Sequence, residues 1–225
     1  MSKPLITYSV ELMKQITDKQ VVVVGAFHQS VREVLKNFPV HFVYQKKRLG
    51  TGHAVSVGIK EIEKQAWSPT LVLVGYGDHT MFYKKHSVVQ LIKNHLAQQA
   101  TISLLTFIYE NPDEKKYGRI MRNESGNVVD IVEQKDASEE QRKIKEVNPG
   151  FYCFDYAFLR RSIKKLKKSE ASSEYYITDM IKIASTQGEK VISLPIAYKE
   201  VGPGINTIED LKENEKLFIL NQTIS

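Results

Sequence analysis

Cysteine is almost missing from this chain, with one residue, Cys153, in 225. A lone thiol excludes an internal disulfide and leaves no basis for a cysteine-built zinc cluster. Its context, GFYCFD, alternates like a strand, which makes it a small buried apolar residue rather than a nucleophile. Long apolar runs are missing too: none approaches the ~18 residues of a membrane span. The opening MSKPLITYSV has neither the basic region nor the apolar core of a secretory leader. The expectation is a cytoplasmic protein with no membrane partner. Six histidines are scattered without metal-ligand spacing, and no serine or cysteine stands beside a matched base. Acidic residues are the minority, 26 against 32 basic ones, giving a net charge of +6. That balance favours anionic partners. The densest basic run, Lys164 to Lys168, reads as a solvated helix face and not as a nucleic-acid site.

With 42% hydrophobic residues and no repeats or low-complexity linkers, the chain can bury one core over residues 1–225. Strand-like and helix-like segments alternate through its first two-thirds. Residues 5–16 suit an amphipathic helix, and VVVVGAF (21–27) is a β-branched run of buried-strand type. Ser30 can cap a short helix carrying Val31, Val34 and Leu35. VHFVYQ reads as a strand, followed by the glycine loop RLGTGHA and a helix through Ile62. TLVLVGYGD is a strand entering a second glycine loop. A helix from Ser87 places Val88, Leu91, Ile92, His95 and Leu96 on one stripe, and TISLLTFIY returns as a strand. This β-α-β-α order predicts a mostly parallel sheet with helices on both faces.

Beyond Asn111 the texture changes. YGRIMRN and NVVDIVE read as a β-hairpin closed at Ser125-Gly126. GFYCFD is a strand, a lysine-rich helix follows it, YYITDMIKIA is a helix and KVISLP a short strand. Thr207 and Asp210 have the spacing of a capping box for a last helix.

Ligands of open α/β sheets bind beyond the carboxyl ends of the strands, which puts QKKRLGTGH and GYGDH together. Glycine main chain in the first can lie against a flat ring, with Gln45 and Thr51 adding side-chain hydrogen bonds. Asp78, with Gly77 beside it, is a hard oxygen ligand suited to Mg²⁺ between protein and phosphates. His53 and His79 read as polar loop residues. VVVVGAFHQS lacks the G-x-G-x-x-G spacing of a dinucleotide site. Gly118, Glu133, Asn148 and Asn206 add an oxygen- and amide-rich set suited to sugar hydroxyls.

The order LGTGHA, GYGD, YGRI, IVEQKDA and EYYITD resembles the uridylyltransferase domain of bacterial UDP-N-acetylglucosamine pyrophosphorylases, of the sugar-phosphate nucleotidyltransferase family. The resemblance covers residues 4–206. It implies a Rossmann-like (GT-A-type) α/β fold and Mg²⁺-dependent transfer of UMP from UTP to N-acetylglucosamine 1-phosphate. The products would be UDP-N-acetylglucosamine, a cell-wall precursor, and pyrophosphate. Such chemistry needs positioning and charge neutralisation more than a protein nucleophile. Carried over at matching positions, Gln45, Gly50 and Thr51 would hold the uracil, and Asp78 and Asn206 would ligate Mg²⁺. Tyr76, Gly77, Gly118, Glu133 and Asn148 would line the nucleotide-sugar pocket, the last two meeting sugar hydroxyl or amide groups.

Two departures qualify the resemblance. The family opens with a strand and a loop L-A-A-G-x-G-T-R-M, then a P-K pair, which cradle the triphosphate; no stretch here matches them. The lacking strand belongs between VVVVGAF and TLVLVGYGD, so two strand edges are expected to be without partners. Little uridylyltransferase activity is therefore expected, with a non-catalytic nucleotide-sugar-binding module as the alternative. Thr80 stands where the family has proline after the metal aspartate. The hexapeptide repeats of bifunctional relatives do not follow, so no acetyltransferase activity is expected.

Overall fold

Four successive valines are stiff at χ1 and favour extended backbone, and they form β1 in the computed structural model, which describes residues 3–79, 81–202, 204–205 and 207–223. Ahead of β1 (Val21–Val24) lies α1 (Leu5–Lys14). Helix α2 (His28–Val34) then leads to β2 (His41–Tyr44), which pairs in parallel with β1. Ser30 does not cap α2. Phe27 takes a left-handed conformation (φ 56°) that turns the chain at once into the helix, leaving Ser30 inside it.

Next come α3 (Thr51–Lys64), β3 (Leu71–Gly75), α4 (Lys85–Ala97) and β4 (Ile102–Ile108). On α4, Val88, Leu91 and His95 are buried as the stripe predicts, whereas Leu96 is exposed. The hairpin is present as β5 (Gly118–Arg122) and β6 (Val128–Val132). A short α5 (Glu139–Arg142) follows, with Ser138 and Gln141 forming a capping box, and then β7 (Glu146–Asn148) and β8 (Phe151–Asp155). The chain continues through α6 (Tyr156–Ser162), α7 (Asp179–Thr186), β9 (Val191–Pro195) and α8 (Ile208–Thr223). The capping box of α8 forms as its spacing predicts: Asp210 N–H donates to Thr207 Oγ1 (3.1 Å), and Thr207 N–H to Asp210 Oδ2 (2.9 Å).

Two helices differ from expectation. The lysine run leaves the helix after Ser162: Lys164 and Lys165 sit in one 3-10 turn, and Lys168 bridges to Tyr175. Tyr175 to Thr178 precede α7 instead of opening it: the Tyr175 N–H and C=O and the Ile177 N–H are bonded to the glycine loop, while the Ile177 and Thr178 carbonyls accept from Met180 and Ile181 as the chain turns into α7.

The larger sheet runs β3-β8-β4-β7-β5-β6, with β9 also on β4. Strands β3 and β4 are parallel to each other, as a β-α-β unit requires. However, β8 lies between them and runs antiparallel to both, so the sheet is mixed. Strands β7 and β8 follow one edge of β4 and are broken by a kink at Pro149-Gly150. Leu104 faces Tyr152 and Phe107 faces Val147, so three steps along β4 match five on the other chain. At that kink the second neighbour changes, from β3 beside β8 to β5 beside β7.

Side chains alternate across the sheet into two cores. Ile102, Leu104, Tyr152 and Phe154 meet α6 and α7 on one face. Leu105, Phe107, Phe151 and Cys153 meet α4 on the other. Cys153 is fully buried, and burial alone pushes its thiol up to about 12. Truncating Phe154 to alanine empties the first core of a fully buried ring. The loss expected in urea unfolding is about 3–5 kcal/mol; a loss under 1 kcal/mol would contradict this packing.

Candidate functional site

The kink is fastened by Asn148. Its Oδ1 accepts from Gly150 N–H (3.0 Å), while its Nδ2 donates to the Tyr152 hydroxyl (2.7 Å). Gly150 has φ +81°, and a Cβ there would lie 2.3 Å from the Tyr76 ring, so only glycine lets that ring settle on the main chain. Across the ladder Asn148 faces Gly118, where a Cβ would meet Ile131 at 2.8 Å and Glu133 Oε2 at 3.5 Å. Glu133 accepts from the Thr178 hydroxyl (2.8 Å), ahead of α7. Burial raises the Glu133 carboxyl, with the Thr178 bond opposing the shift. The Tyr76 hydroxyl reaches Tyr152 and Thr51, and burial followed by the Glu133 charge raises it well above its ordinary range.

The first glycine loop closes on the chain itself. Tyr175 N–H donates to the Leu49 carbonyl (2.8 Å), and Gly52 N–H to the Tyr175 carbonyl (2.8 Å). Gly50 has φ +100°, and a Cβ on it would lie 2.5 Å from the Tyr175 carbonyl oxygen. Close approach at these two glycines is made by the Glu174–Tyr176 segment and, at Gly52, by the Leu166 side chain, 2.4 Å from where a Cβ would stand. Thr51 Oγ1 accepts from Ile177 N–H (3.0 Å). Gln45 Nε2 donates to the Gly50 carbonyl (3.1 Å) and lies 2.9 Å from His53 Nδ1.

His53, expected in a loop, lies in the first turn of α3, whereas His79 is a loop residue as expected. It is buried, stacked on Tyr117 (ring centroids 5.7 Å apart, 12° between planes). Its Nδ1 is 2.8 Å from the Pro149 carbonyl and its Nε2 is 3.1 Å from the Gly202 carbonyl. Both partners are carbonyl oxygens, so bonding to the two at once requires a proton on each nitrogen; burial lowers the pKa of the ring, and the Gly202 and Pro149 carbonyls and the Asp78 charge oppose that shift. The second glycine loop is thereby strapped to the kink and to the segment before α8, and helix α1 holds it from outside. Ser9 Oγ donates to the Gly77 carbonyl (3.1 Å), and a Cβ on Gly77 would meet Ile6 at 2.9 Å.

Thr51, Tyr76, Gly118, Glu133 and Asn148 are thus joined through direct contacts, with Gly77 beside Tyr76 and Gln45 behind Gly50. Asp78 is exposed next to this group and acts electrostatically on Tyr76 and His79. Asn206 and Thr80 lie outside the described residues. Among the described residues no three His, Cys, Asp or Glu side chains gather as a metal cage. A single exposed carboxylate still fits Mg²⁺, which commonly takes one protein carboxylate, waters and substrate phosphates. Sequence reading missed Gly150, Tyr152 and Thr178. The N-P-G turn was a legible signal for the first and the EYYITD motif for Thr178; nothing local marked Tyr152.

Two expectations follow from this geometry. Thr51→Val leaves the Ile177 N–H without its acceptor and should cost about 1–3 kcal/mol in urea unfolding, with Thr51→Ser restoring most of it. Equal stability of the valine and serine variants would refute the bond. Asp179 is raised from 3.8 to about 6, first by burial and then by Asp130. Its native state binds the proton more tightly than the unfolded chain. Its contribution to stability is therefore full below pH ~4 and is lost as pH rises through about 6. Asp179→Asn should flatten that decline in stability-versus-pH curves; parallel curves would refute it.

Residues 1–201 match the family described as "Nucleotidyl transferase". The chain is 41% identical over 213 residues to the bifunctional protein GlmU of Caldicellulosiruptor saccharolyticus, covering 94% of this chain and 45% of that one. With the GlmU protein of Caldanaerobacter subterraneus the identity is 37% over 216 residues, 96% and 45% of the two chains. The chain thus spans a little under half the length of these relatives. Among solved structures it is similar to UDP-glucose pyrophosphorylase complexed with UDP-glucose, with TM-score 0.74 and 18% identity over 98% of this chain and 88% of that one. It is also similar to a nucleoside-diphosphate-sugar pyrophosphorylase from Vibrio cholerae, with TM-score 0.67 and 15% identity over 94% and 86%. The matched family, the identity to the GlmU proteins and the α/β fold agree with the resemblance read from the motifs: the chain belongs to the nucleotidyl transferase family.

Proposed function

We propose that the pocket around the Asn148–Gly150 kink binds the sugar of a uridine diphosphate sugar, and that the chain is a uridylyltransferase domain of low turnover. The observation that carries this reading is the linked set Glu133–Thr178 and Asn148–Tyr152 on either side of Gly118. These are fixed hydrogen-bonding groups beside bare main chain, suited to sugar hydroxyls and an amide. N-acetylglucosamine 1-phosphate is the sugar phosphate that the GlmU kinship favours.

In this reading Thr51 and Gln45 orient the glycine loop toward uracil, and Tyr76 forms the wall between base and sugar. Glu133 and Asn148 hold the sugar so that its phosphate oxygen lies in line with the α-phosphorus of UTP. Asp78, with Asn206, would hold Mg²⁺, which neutralises charge on the phosphates when bound. Basic groups suited to the triphosphate are where the chain is weak, since its sequence holds no G-x-G-T-R stretch. That lack favours the second reading, a binding module without turnover.

Calorimetry with UDP-N-acetylglucosamine and an assay of pyrophosphate release from UTP and the sugar phosphate separate the possibilities. The expected result is saturable binding, weakened about tenfold by Asn148→Ala, with slow turnover. Binding with no turnover at all selects the second reading. No binding of any uridine nucleotide or nucleotide sugar, with Mg²⁺ present, refutes both.

A further inference from the structure

Gln45 follows β2 with its side chain committed on two sides. Its Nε2 lies 3.1 Å from the Gly50 carbonyl and 2.9 Å from His53 Nδ1. The Gly50 carbonyl can only accept, so it fixes which end of the amide is nitrogen. That nitrogen carries a pair of hydrogens: one goes to Gly50, and the other goes to His53 Nδ1. The imidazole therefore accepts at Nδ1 and carries its own proton on Nε2. With both donors spent, the amide has only Oε1 left to offer a ligand.

His53 is a fixed point because the turn that carries it is fixed. It lies in the first turn of α3, where Ala54 N–H donates to the same Gly50 carbonyl (3.1 Å). Thr51 and Gly52 of that turn are bonded to Ile177 and Tyr175. Gln45 is only 9% exposed, and its main-chain N–H is held by the Val24 carbonyl. Helix propensity does not call for histidine at position 53. Without it, one amide N–H would be free, and Gln45 could present a donor as readily as an acceptor. That difference matters to a pyrimidine. Uracil carries a hydrogen on ring N3, whereas cytosine carries a lone pair there. An amide restricted to its oxygen bonds the first and repels the second.

We propose that His53 is a positioning residue for base selection: by taking the second Gln45 N–H, it keeps the amide an acceptor and so favours uracil over cytosine. The inference rests on the uridine reading of the glycine loop and adds to it the residue that sets the choice of base. His53 acts through Gln45, not on the nucleotide itself.

The test compares UDP and CDP binding by calorimetry, with Mg²⁺ present, in the full chain and its variants. The unaltered chain should bind UDP about tenfold or more tighter than CDP. His53→Ala should cut that preference about tenfold. His53→Asn, whose side-chain oxygen can stand near the Nδ1 position, should restore most of it. In a Gln45→Leu background, His53→Ala should leave the preference unchanged, because the two side chains act as one unit. Ring ¹⁵N signals of the free protein should show Nδ1 bare and the proton on Nε2. A preference that survives in His53→Ala, or a proton on Nδ1, would overturn the proposal while the uridine reading stands. No binding of either nucleotide would overturn the uridine reading and this selection with it.

Discussion

The change of neighbour at Asn148–Gly150 is the constraint on which the candidate site depends. A strand bonded to β3 on one side of the kink and to β5 on the other forces the sheet to divide there. Dividing a sheet opens a space between strand ends and leaves peptide groups at the break in need of partners. Asn148 supplies one through Gly150 N–H, and the Pro149 carbonyl meets His79 and the Tyr83 hydroxyl. The same side chains that repair the break belong to the proposed sugar site, so in that reading stability and recognition are coupled at these residues. A substitution at Asn148 also loosens the kink, and only a conservative replacement can separate the two effects.

Glycine-rich loops invite explanation by a ligand, and this one shows how that inference can be half right. Gly50 and Gly52 do permit a close main-chain approach, but the chain that approaches is Glu174–Tyr176. The clasp fixes α3 from its first residue, places Thr51 against the Ile177 N–H and holds Tyr175 outside the turn that leads into α7. A ligand-binding role for the loop then rests on its other groups, not on the space at the glycines. Two motifs far apart in sequence, LGTGHA and EYYITD, are halves of one structure.

Elements with strong periodicity were legible: the valine strand, the α4 stripe, the β5–β6 hairpin and the Thr207–Asp210 box all form as their residues dictate. What the sequence concealed was long-range in origin. The antiparallel placement of β8 depends on the hairpin excursion returning between β3 and β4, and no local pattern encodes that insertion. Tyr175 and Ile177 have helix-compatible neighbours, yet the Tyr175 peptide groups and the Ile177 N–H are taken by the glycine loop, so tertiary bonding overrode propensity. His79 sits in a glycine-flanked loop of polar residues and is nevertheless buried, because two carbonyls and the Tyr117 ring surround it. The candidate residues Glu133 and Asn148 were legible through their motif; that Thr178 and Tyr152 are their partners became evident only once the strands were paired.

The β1–β2 pair depends on its neighbours for stability. Two strands of four residues are not stable in water by themselves, so this small sheet must rely on what packs against it. Helix α3 does most of that, carrying Gly58 against Val23 and burying Ile59 and Ile62 beneath the strands. On the open side, Val21 to Val23 are only half buried, whereas Ile102 to Phe107 on β4 are fully enclosed. Free energies of local opening track such differences, being lowest where apolar contacts are few and backbone bonds are exposed. The β1–β2 lobe is accordingly the least anchored part of the sheet structure. Because Gln45 and the glycine loop follow directly from β2, the order of the candidate nucleotide loop is tied to how firmly β1 is held.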